Sequence, residues 1–302
     1  MIPFIKQKLL HQKWMVVSLL IGNILLIAIA CSNPMYQGAA LQKTLSSKLD
    51  EYIQEENQNP GVISFEANMK GQDGQEKEYQ SMKEEAAGAA DRLDVEQNYF
   101  VTYNESSKTR GHYVGTRNKD DMTKTIKISS LSELEKHSTM LSGKMYQDKV
   151  GADGALEAIV SQKCMSKLDI MVGDIIELNR FMDAKVKIVG VFTNKEADDT
   201  YWVQSPSDYY MDLFISPKVF ESDFINLKKQ SFVMTTTWSL VFDYKELAAE
   251  QIDSFVSETE DMMQETSDAY NCKIDEPAYL EVLREYQTSA KKVRTTLLIL
   301  QF

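Results

Sequence analysis

The stretch that decides the fold is LEAIVSQKCMSKLDIMVGDIIELN, residues 156 to 179, together with KVKIVGVF, residues 185 to 192. Its apolar, β-branched ends predict two strands, at residues 155 to 160 and 173 to 178, with a short helix between them. At the start of KVKIVGVF apolar residues alternate with lysines, as in a strand with one buried face. This order of elements predicts a small β-rich subdomain.

Two glycines of this stretch, Gly173 and Gly190, are expected to have structural roles. Each stands at or inside a predicted strand, where a glycine often marks a tight turn or a close approach of two backbones. We therefore expect Gly173 and Gly190 to permit turns or close strand packing.

Two helices flank the external segment. Before it, Leu41, Leu45 and Leu49 recur every four residues, which predicts a helix over about residues 34 to 56 with one apolar stripe. Near the end of the chain, Leu280 and Leu283 lie on a second predicted helix, at about residues 277 to 296. Since each stripe needs a cover, we expect the two helices to pack side by side as stalks and these five leucines to couple them.

Other patterns predict further helices and strands along the chain. Ser130 and Glu133 have the spacing of a capping box, which predicts a helix that continues through Leu141 and ends at Ser142–Gly143. Because strands and helices are interspersed irregularly, the predicted class is α+β. The prediction is a mixed external domain over residues 34 to 290, mounted on two helical stalks.

The N-terminal region predicts a membrane anchor. Residues 14 to 33 carry no charge, and twenty helical residues span a hydrocarbon core of about 30 Å. Lysines precede this span, at Lys6, Lys8 and Lys13, so the positive-inside rule places residues 1 to 13 in the cytoplasm and the main domain outside.

Polar residues interrupt the predicted anchor. Gly22 and Asn23 are expected to face another helix, where a small residue permits close approach. The alternative is that the anchor simply absorbs one Asn.

Two further features concern the membrane. Residues 297 to 302 are apolar and too short to span, so they predict either the start of a second transmembrane helix or an amphipathic C-terminus. Residues 28 to 31, Ala-Ile-Ala-Cys, loosely match a lipoprotein cleavage site. The competing hypothesis is therefore a lipoprotein, lipidated on Cys31, that binds a ligand or cell-wall material.

Charge separates the ends of the chain from its middle. The net charge is −12, yet residues 1 to 13 contribute three lysines and residues 291 to 302 contribute Lys291, Lys292 and Arg294, which leaves −18 on residues 34 to 290. Such a domain repels phosphate backbones, which excludes nucleic-acid binding as a default. It favours neutral or cationic partners, such as a cationic peptide.

A search for catalytic and metal-binding patterns gives no convincing site. Gly143–Lys144 is followed by Met145 and lacks the glycine and hydroxyl pattern of a phosphate-binding loop. The three histidines, His11, His112 and His137, have no metal-ligand spacing, and Ser289 with Lys292 matches S-x-x-K without companion motifs. We expect no catalytic, cofactor or metal site and no enzymatic activity.

The remaining cysteines are Cys164 and Cys272. Cys164 has apolar neighbours and Cys272 has no paired spacing, so we expect no required disulfide between them.

The order of the segments resembles a known family. After a basic N-terminus and an anchor that ends in CSNPMY come LSGKMYQD (residues 141 to 148), the stretch quoted first, and DLFISPKVFES (residues 212 to 222). Together they resemble the external domain of FtsX/MacB-type ABC transporter permeases, which follows the first transmembrane helix and returns to the membrane at the second.

This resemblance implies a permease subunit, or a fragment of one, in the cell membrane. It implies that ATP binds to a separate ATPase subunit, and that the partners include other permease helices or a second permease copy. It also implies that the external domain moves as the ATPase opens and closes. The later transmembrane helices of a permease are absent from these 302 residues.

Overall fold

A computed structural model describes residues 13–56, 59–71, 74–114, 123–178, 184–226, 233–270, 272–274 and 276–299. Residues 1 to 12 of the predicted cytoplasmic segment and residues 300 to 302 at the C-terminus lie outside the described residues. The side chains of residues 28 to 36, including that of Cys31, also lie outside them. The structure is α+β, as predicted.

The described helices differ greatly in length. They are α1 (Lys13–Glu56), α2 (Gln75–Arg92), α3 (Leu134–His137), α4 (Gln162–Leu168), α5 (Pro217–Phe220), α6 (Ile252–Ala269) and α7 (Ala278–Ile299). A π-helical turn over Glu221–Ile225 extends α5, and a 3-10 turn covers Tyr244–Glu246.

Eleven described strands form one connected set. They are β1 (Val62–Met69), β2 (Gln97–Ser106), β3 (Thr109–Val114), β4 (Thr123–Leu131), β5 (Ser138–Gly143), β6 (Ala155–Ser161), β7 (Ile175–Leu178), β8 (Ala184–Asn194), β9 (Asp212–Phe214), β10 (Met234–Phe242) and β11 (Cys272–Ile274). The strands predicted in the 155 to 192 stretch correspond to β6, β7 and β8.

The strand pairings divide the molecule into two lobes. The antiparallel order β11-β1-β10-β2 forms a four-stranded sheet, which with α1, α2, α6 and α7 makes up what we call the stalk lobe. The remaining order β4-β3-β7-β8-β6-β9 returns to its start because β9 also pairs with β4. These six strands close a ring, which we call the barrel lobe, and β5 pairs with β8 at its side.

The two lobes share a single run of strand. Only two residues separate β2 from β3, and both strands pair antiparallel with β4, through Tyr103 opposite Leu131 and Thr109 opposite Ile126. β2 and β3 therefore behave as one bent strand, whose first half belongs to the stalk lobe and whose second half belongs to the barrel.

One hydrophobic core runs through both lobes. It contains stalk residues such as Leu45 and Leu283, sheet residues such as Phe65 and Trp238, and barrel residues such as Ile176. A second core, rich in aromatic side chains, joins β2 to the barrel lobe; it consists of Val101, Leu131, Leu134, Tyr146, Ile159, Val189, Phe192, Tyr201, Tyr209 and Phe214. Movement of one lobe relative to the other must therefore repack side chains.

The prediction of a long helix after the capping box is wrong beyond the first helical turn. α3 covers only Leu134–His137, and β5 follows it and pairs with β8. The Ser130 hydroxyl does not cap a helix, because it lies in β4 and accepts a hydrogen bond from the Asn104 side chain at 3.1 Å. Glu133 has φ of 59° and stands in the left-handed region directly before α3, and the chain is extended again from Ser138 into β5.

The predicted anchor lies in the first part of α1, a helix of 44 residues. Its described side chains from Trp14 to Ile27 are exposed, including Gly22 and Asn23. Within the described ranges, no helix meets the combined length and hydropathy of a membrane span. The anchor over residues 14 to 33 therefore stays a prediction.

Candidate functional site

The two predicted stalks, α1 and α7, contact each other. Their leucines lie in the core that runs through both lobes, and all five are at most 7% exposed; they are Leu41, Leu45, Leu49, Leu280 and Leu283. Fully burying a leucine stabilises a fold by about 1.5–3 kcal/mol, so the burial of these five leucines stabilises the packing of both stalks on the core. The packing is as predicted, whereas the coupling role stays a prediction.

An ion pair and a shared cleft give the direction and register of the stalks. Lys48 Nζ lies 3.2 Å from Glu285 Oε2, and this contact raises the pKa of Lys48. Farther along, Ile53 of α1 and Ala278 of α7 line the same cleft, so the helices are antiparallel. Both helices rise by the same distance per residue, so twelve residues from the ion pair along each helix, residue 297 of α7 lies level with residue 36 of α1. The apolar parts of both stalks thus begin at one level.

Polar side chains fasten each stalk to the rest of its lobe. On α1, the Gln42 amide donates to the Leu247 carbonyl at 3.0 Å and accepts from the Ala249 N–H at 2.8 Å. On α7, Gln287 donates to Asp253 of α6 at 3.0 Å, and Arg284 pairs with Glu260 of α6 at 2.6 Å. The two stalks are therefore joined by side-chain contacts to α6 and to the chain that leaves β10.

These fastening residues were not predicted from the sequence. Gln42 stands next to the leucine stripe, yet its partners lie more than two hundred residues away. A polar residue beside an apolar helix face gives only a weak signal of such a contact.

A cleft of about 1240 Å³ separates the barrel from the stalk tops, by which we mean the end of α1 near Ile53 and the start of α7 at Ala278. On the stalk side its lining includes Ile53, Tyr244 and the start of α7. On the barrel side it includes the N-terminal part of α4, the end of β8 and residues 197 to 208. Because the stalk tops form one wall, the width of the cleft depends on their position.

Part of the barrel wall of the cleft belongs to a segment without strands, residues 195 to 211. It is fixed by a polar and aromatic contact: His137 Nδ1 lies 2.7 Å from Asp199 Oδ2, and the His137 ring stacks on Tyr201 with centroids 3.8 Å apart. The Tyr201 hydroxyl donates to the Ser132 carbonyl at 2.5 Å. Sequence reasoning assigned His137 no role, since its partner lies 62 residues away.

The two glycines of the 156 to 192 stretch, Gly173 and Gly190, occupy positions that disfavour a side chain, for different reasons. Gly173 has φ of +98°, a backbone conformation that L side chains rarely adopt. At Gly190 a Cβ would come 2.4 Å from the Lys144 carbonyl oxygen. The first permits a turn before β7, and the second permits the close approach of the segment after β5 to β8.

Among the described side chains, no three His, Cys, Asp or Glu residues converge in a way that could hold a metal ion. His112 is exposed on β3, opposite Glu177 of β7. Cys164 is buried, and its thiol points at the Asp212 carbonyl, 3.6 Å away. Ser289 and Lys292 lie on α7, where Lys292 is exposed.

Comparison with known proteins gives structural neighbours at low identity. No protein-family model and no curated protein matches the chain. Among solved structures it is similar to the periplasmic region of MacB from Actinobacillus actinomycetemcomitans, with a TM-score of 0.38, 11% identity, and 74% of this chain and 92% of that chain covered. A domain described as part of a permease protein from Porphyromonas gingivalis gives a TM-score of 0.34, 12% identity, and 68% and 86% coverage.

The first neighbour is a periplasmic region of MacB, the kind of domain that the sequence resembles, and the second is described only as a permease domain. At TM-scores below 0.5 these neighbours do not assign a function to this chain.

Proposed function

We propose that this chain is the extracytoplasmic module of an ABC transporter permease, with no catalytic residue of its own. In this proposal the stalk pair transmits movement, driven by a separate ATPase subunit, to the barrel lobe. The observation that supports it most is the contact between α1 and α7, whose buried leucines lie in the same core as the sheet and the barrel. A displacement of the stalks would therefore reach the cleft.

The proposed attachment to the membrane is through α1, with the N-terminus in the cytoplasm. Exposed apolar side chains on α1, such as Leu19, Leu20 and Ile24, support it, since these three are between 57% and 64% exposed. Gly22 and Asn23 would then contact other permease helices or a second permease copy. The common level at which the apolar parts of α1 and α7 begin suits two helices that enter one membrane.

The proposed partners follow from the same reasoning. ATP would bind only to the partner ATPase, and this chain would need no cofactor. The charge of −18 over residues 34 to 290 favours a cationic peptide over an anionic partner.

The test replaces Leu45 and Leu283 together by Asp in the complete transporter, assembled with its ATPase in liposomes. Two buried carboxylates should separate the stalks, so basal ATP hydrolysis should persist while its response to cargo is lost. The matched control replaces exposed Ser47 and Thr288 by Asp and should keep the response. Unchanged coupling in the leucine variant would contradict the proposal.

Loss of folding must be distinguished from loss of coupling. The milder variant with Leu45→Ala and Leu283→Ala keeps both sites apolar, and each change is expected to destabilise by about 2–5 kcal/mol. If this variant assembles with the ATPase at normal yield but its ATP hydrolysis responds only weakly to cargo, the result supports coupling through the stalks.

The lipoprotein alternative makes a different prediction about the N-terminus. Mass spectrometry of the intact chain should find the residues before Cys31 still attached. A diacylglyceryl group on Cys31 would favour the lipoprotein instead.

A further inference from the structure

The cleft between the stalk tops and the barrel has an unequal charge. Four of its described lining residues carry a carboxylate, namely Asp198, Asp199, Asp208 and Glu276, and one, Lys163, carries an ammonium group. Two of the four are engaged elsewhere, because Asp199 contacts His137 and Glu276 contacts Arg284. Asp198 and Asp208 are exposed, and the described part of the chain places no ion-pair partner beside them.

Aromatic rings line the same cleft as these two carboxylates. Trp202 lines the cleft, is half-buried, and stacks on Phe192 at 6.2 Å with an angle of 11° between the rings. Tyr244 lines the opposite wall. Carboxylates near an aromatic face are the groups that bind ammonium and guanidinium ions, through charge-assisted hydrogen bonds and cation–π contacts.

The size and remaining lining of the cleft suit a polymer segment. Its volume of about 1240 Å³ exceeds the roughly 300–1,000 Å³ of typical small-molecule sites. Uncharged hydrogen-bonding side chains, among them Gln162, Ser166 and Gln204, also line it. A peptide backbone offers matching donors and acceptors along its length.

We propose that this cleft binds a segment of basic polypeptide, with its lysine or arginine side chains directed at Asp198 and Asp208 and against Trp202. The segment lies between the barrel wall and the stalk tops. Its link to stalk movement rests on the proposed function, whereas binding itself does not require the ATPase. The two claims can therefore fail separately.

The first experiment titrates the full chain in neutral detergent with a blocked hexapeptide of alternating lysine and alanine, by calorimetry at low salt. We expect saturable binding that weakens as salt rises, since the contacts are ionic and lie at an open cleft. A hexapeptide of alternating glutamate and alanine should not bind. Absence of lysine-peptide binding, or equal binding of both peptides, would overturn the proposal.

The second experiment locates the site. Asp198→Asn with Asp208→Asn should weaken binding of the lysine peptide by about tenfold or more, the loss expected for two charge-assisted contacts. The control, Asp91→Asn with Asp261→Asn, changes net charge equally at exposed positions on α2 and α6 and should bind like the unmodified chain. Equal losses in both double variants would mean that only the overall field acts, which overturns the cleft as the site.

A third measurement tests the polypeptide class. Spermine carries ammonium groups without a peptide backbone, so it should bind more weakly than the lysine peptide. Equal or tighter spermine binding would contradict a site shaped for polypeptide. If the chain binds the lysine peptide but the Leu45→Asp, Leu283→Asp variant shows unchanged coupling, the cleft remains the binding site and the coupling role is contradicted.

Discussion

Burial sets the reactivity of individual cysteines. Burial raises the pKa of the Cys164 thiol far above its usual range and that of Cys272 to a lesser degree. Because only the thiolate is alkylated rapidly, Cys164 should resist iodoacetamide at pH 8 in the folded chain and react in urea. Peptide mapping by mass spectrometry checks this for each cysteine. Equal labelling of Cys164 with and without urea would contradict this expectation. Because no disulfide is required, Cys272→Ser should still fold.

A second single-residue effect concerns Asp212, which is 2% exposed in β9. Burial raises its pKa, although hydrogen bonds donated by Tyr103 at 2.6 Å and Ser129 at 2.7 Å oppose the shift. A carboxyl with a raised folded pKa contributes stability below its unfolded pKa of about 3.9, and this stability is lost as pH rises through the folded value.

Asp212→Asn keeps an oxygen that accepts both hydrogen bonds and removes the titration. The free energy of unfolding of the unmodified chain, relative to this variant, should therefore fall as the pH rises from the unfolded pKa of about 3.9 through the higher folded pKa. Urea unfolding at a series of pH values measures the difference. A difference that rises over this range would show that the hydrogen bonds outweigh burial.

At the scale of elements, two glycines should respond oppositely to the same substitution. Gly190→Ala places a Cβ against the Lys144 backbone between β5 and β8, so we expect a loss of about 1–3 kcal/mol. Gly88 lies exposed within α2, where an added Cβ meets nothing within 4 Å. Gly88→Ala should stabilise by about 0.5–1 kcal/mol. Thermal unfolding of both variants compares them, and a shift of the same sign would refute this account.

The elements also show how far sequence patterns reach. The leucine stripe of α1 and the strands β6, β7 and β8 were predictable, because their periodicity is local and matches the face that each element buries. β5 was missed because its pairing with β8 outweighs the local capping signal of Ser130 and Glu133. The closure of the barrel by β9 on β4 was also missed, since it joins residues more than eighty positions apart.

At the scale of the whole molecule, the stalks are expected to move as one unit. Replacing Lys48 and Glu285 by Cys and joining them with a short bismaleimide, in a chain lacking the other cysteines, should preserve cargo-stimulated ATP hydrolysis. The physical reason is that α1 and α7 are already in contact and bury their leucines in one core. The same double variant without cross-linker is the control. Loss of stimulation only after cross-linking would show that the stalks must separate.

The bent strand formed by β2 and β3 has a consequence for biosynthesis. Ser106 at the end of β2 pairs with Met234 at the start of β10, so the barrel lobe is an insertion whose two ends meet at this pair. Bringing such distant residues together has an entropic cost unless the intervening chain is already compact. As the chain emerges from the ribosome, the barrel can form first, and the sheet that carries the stalks is completed only when β10 and α7 have been made.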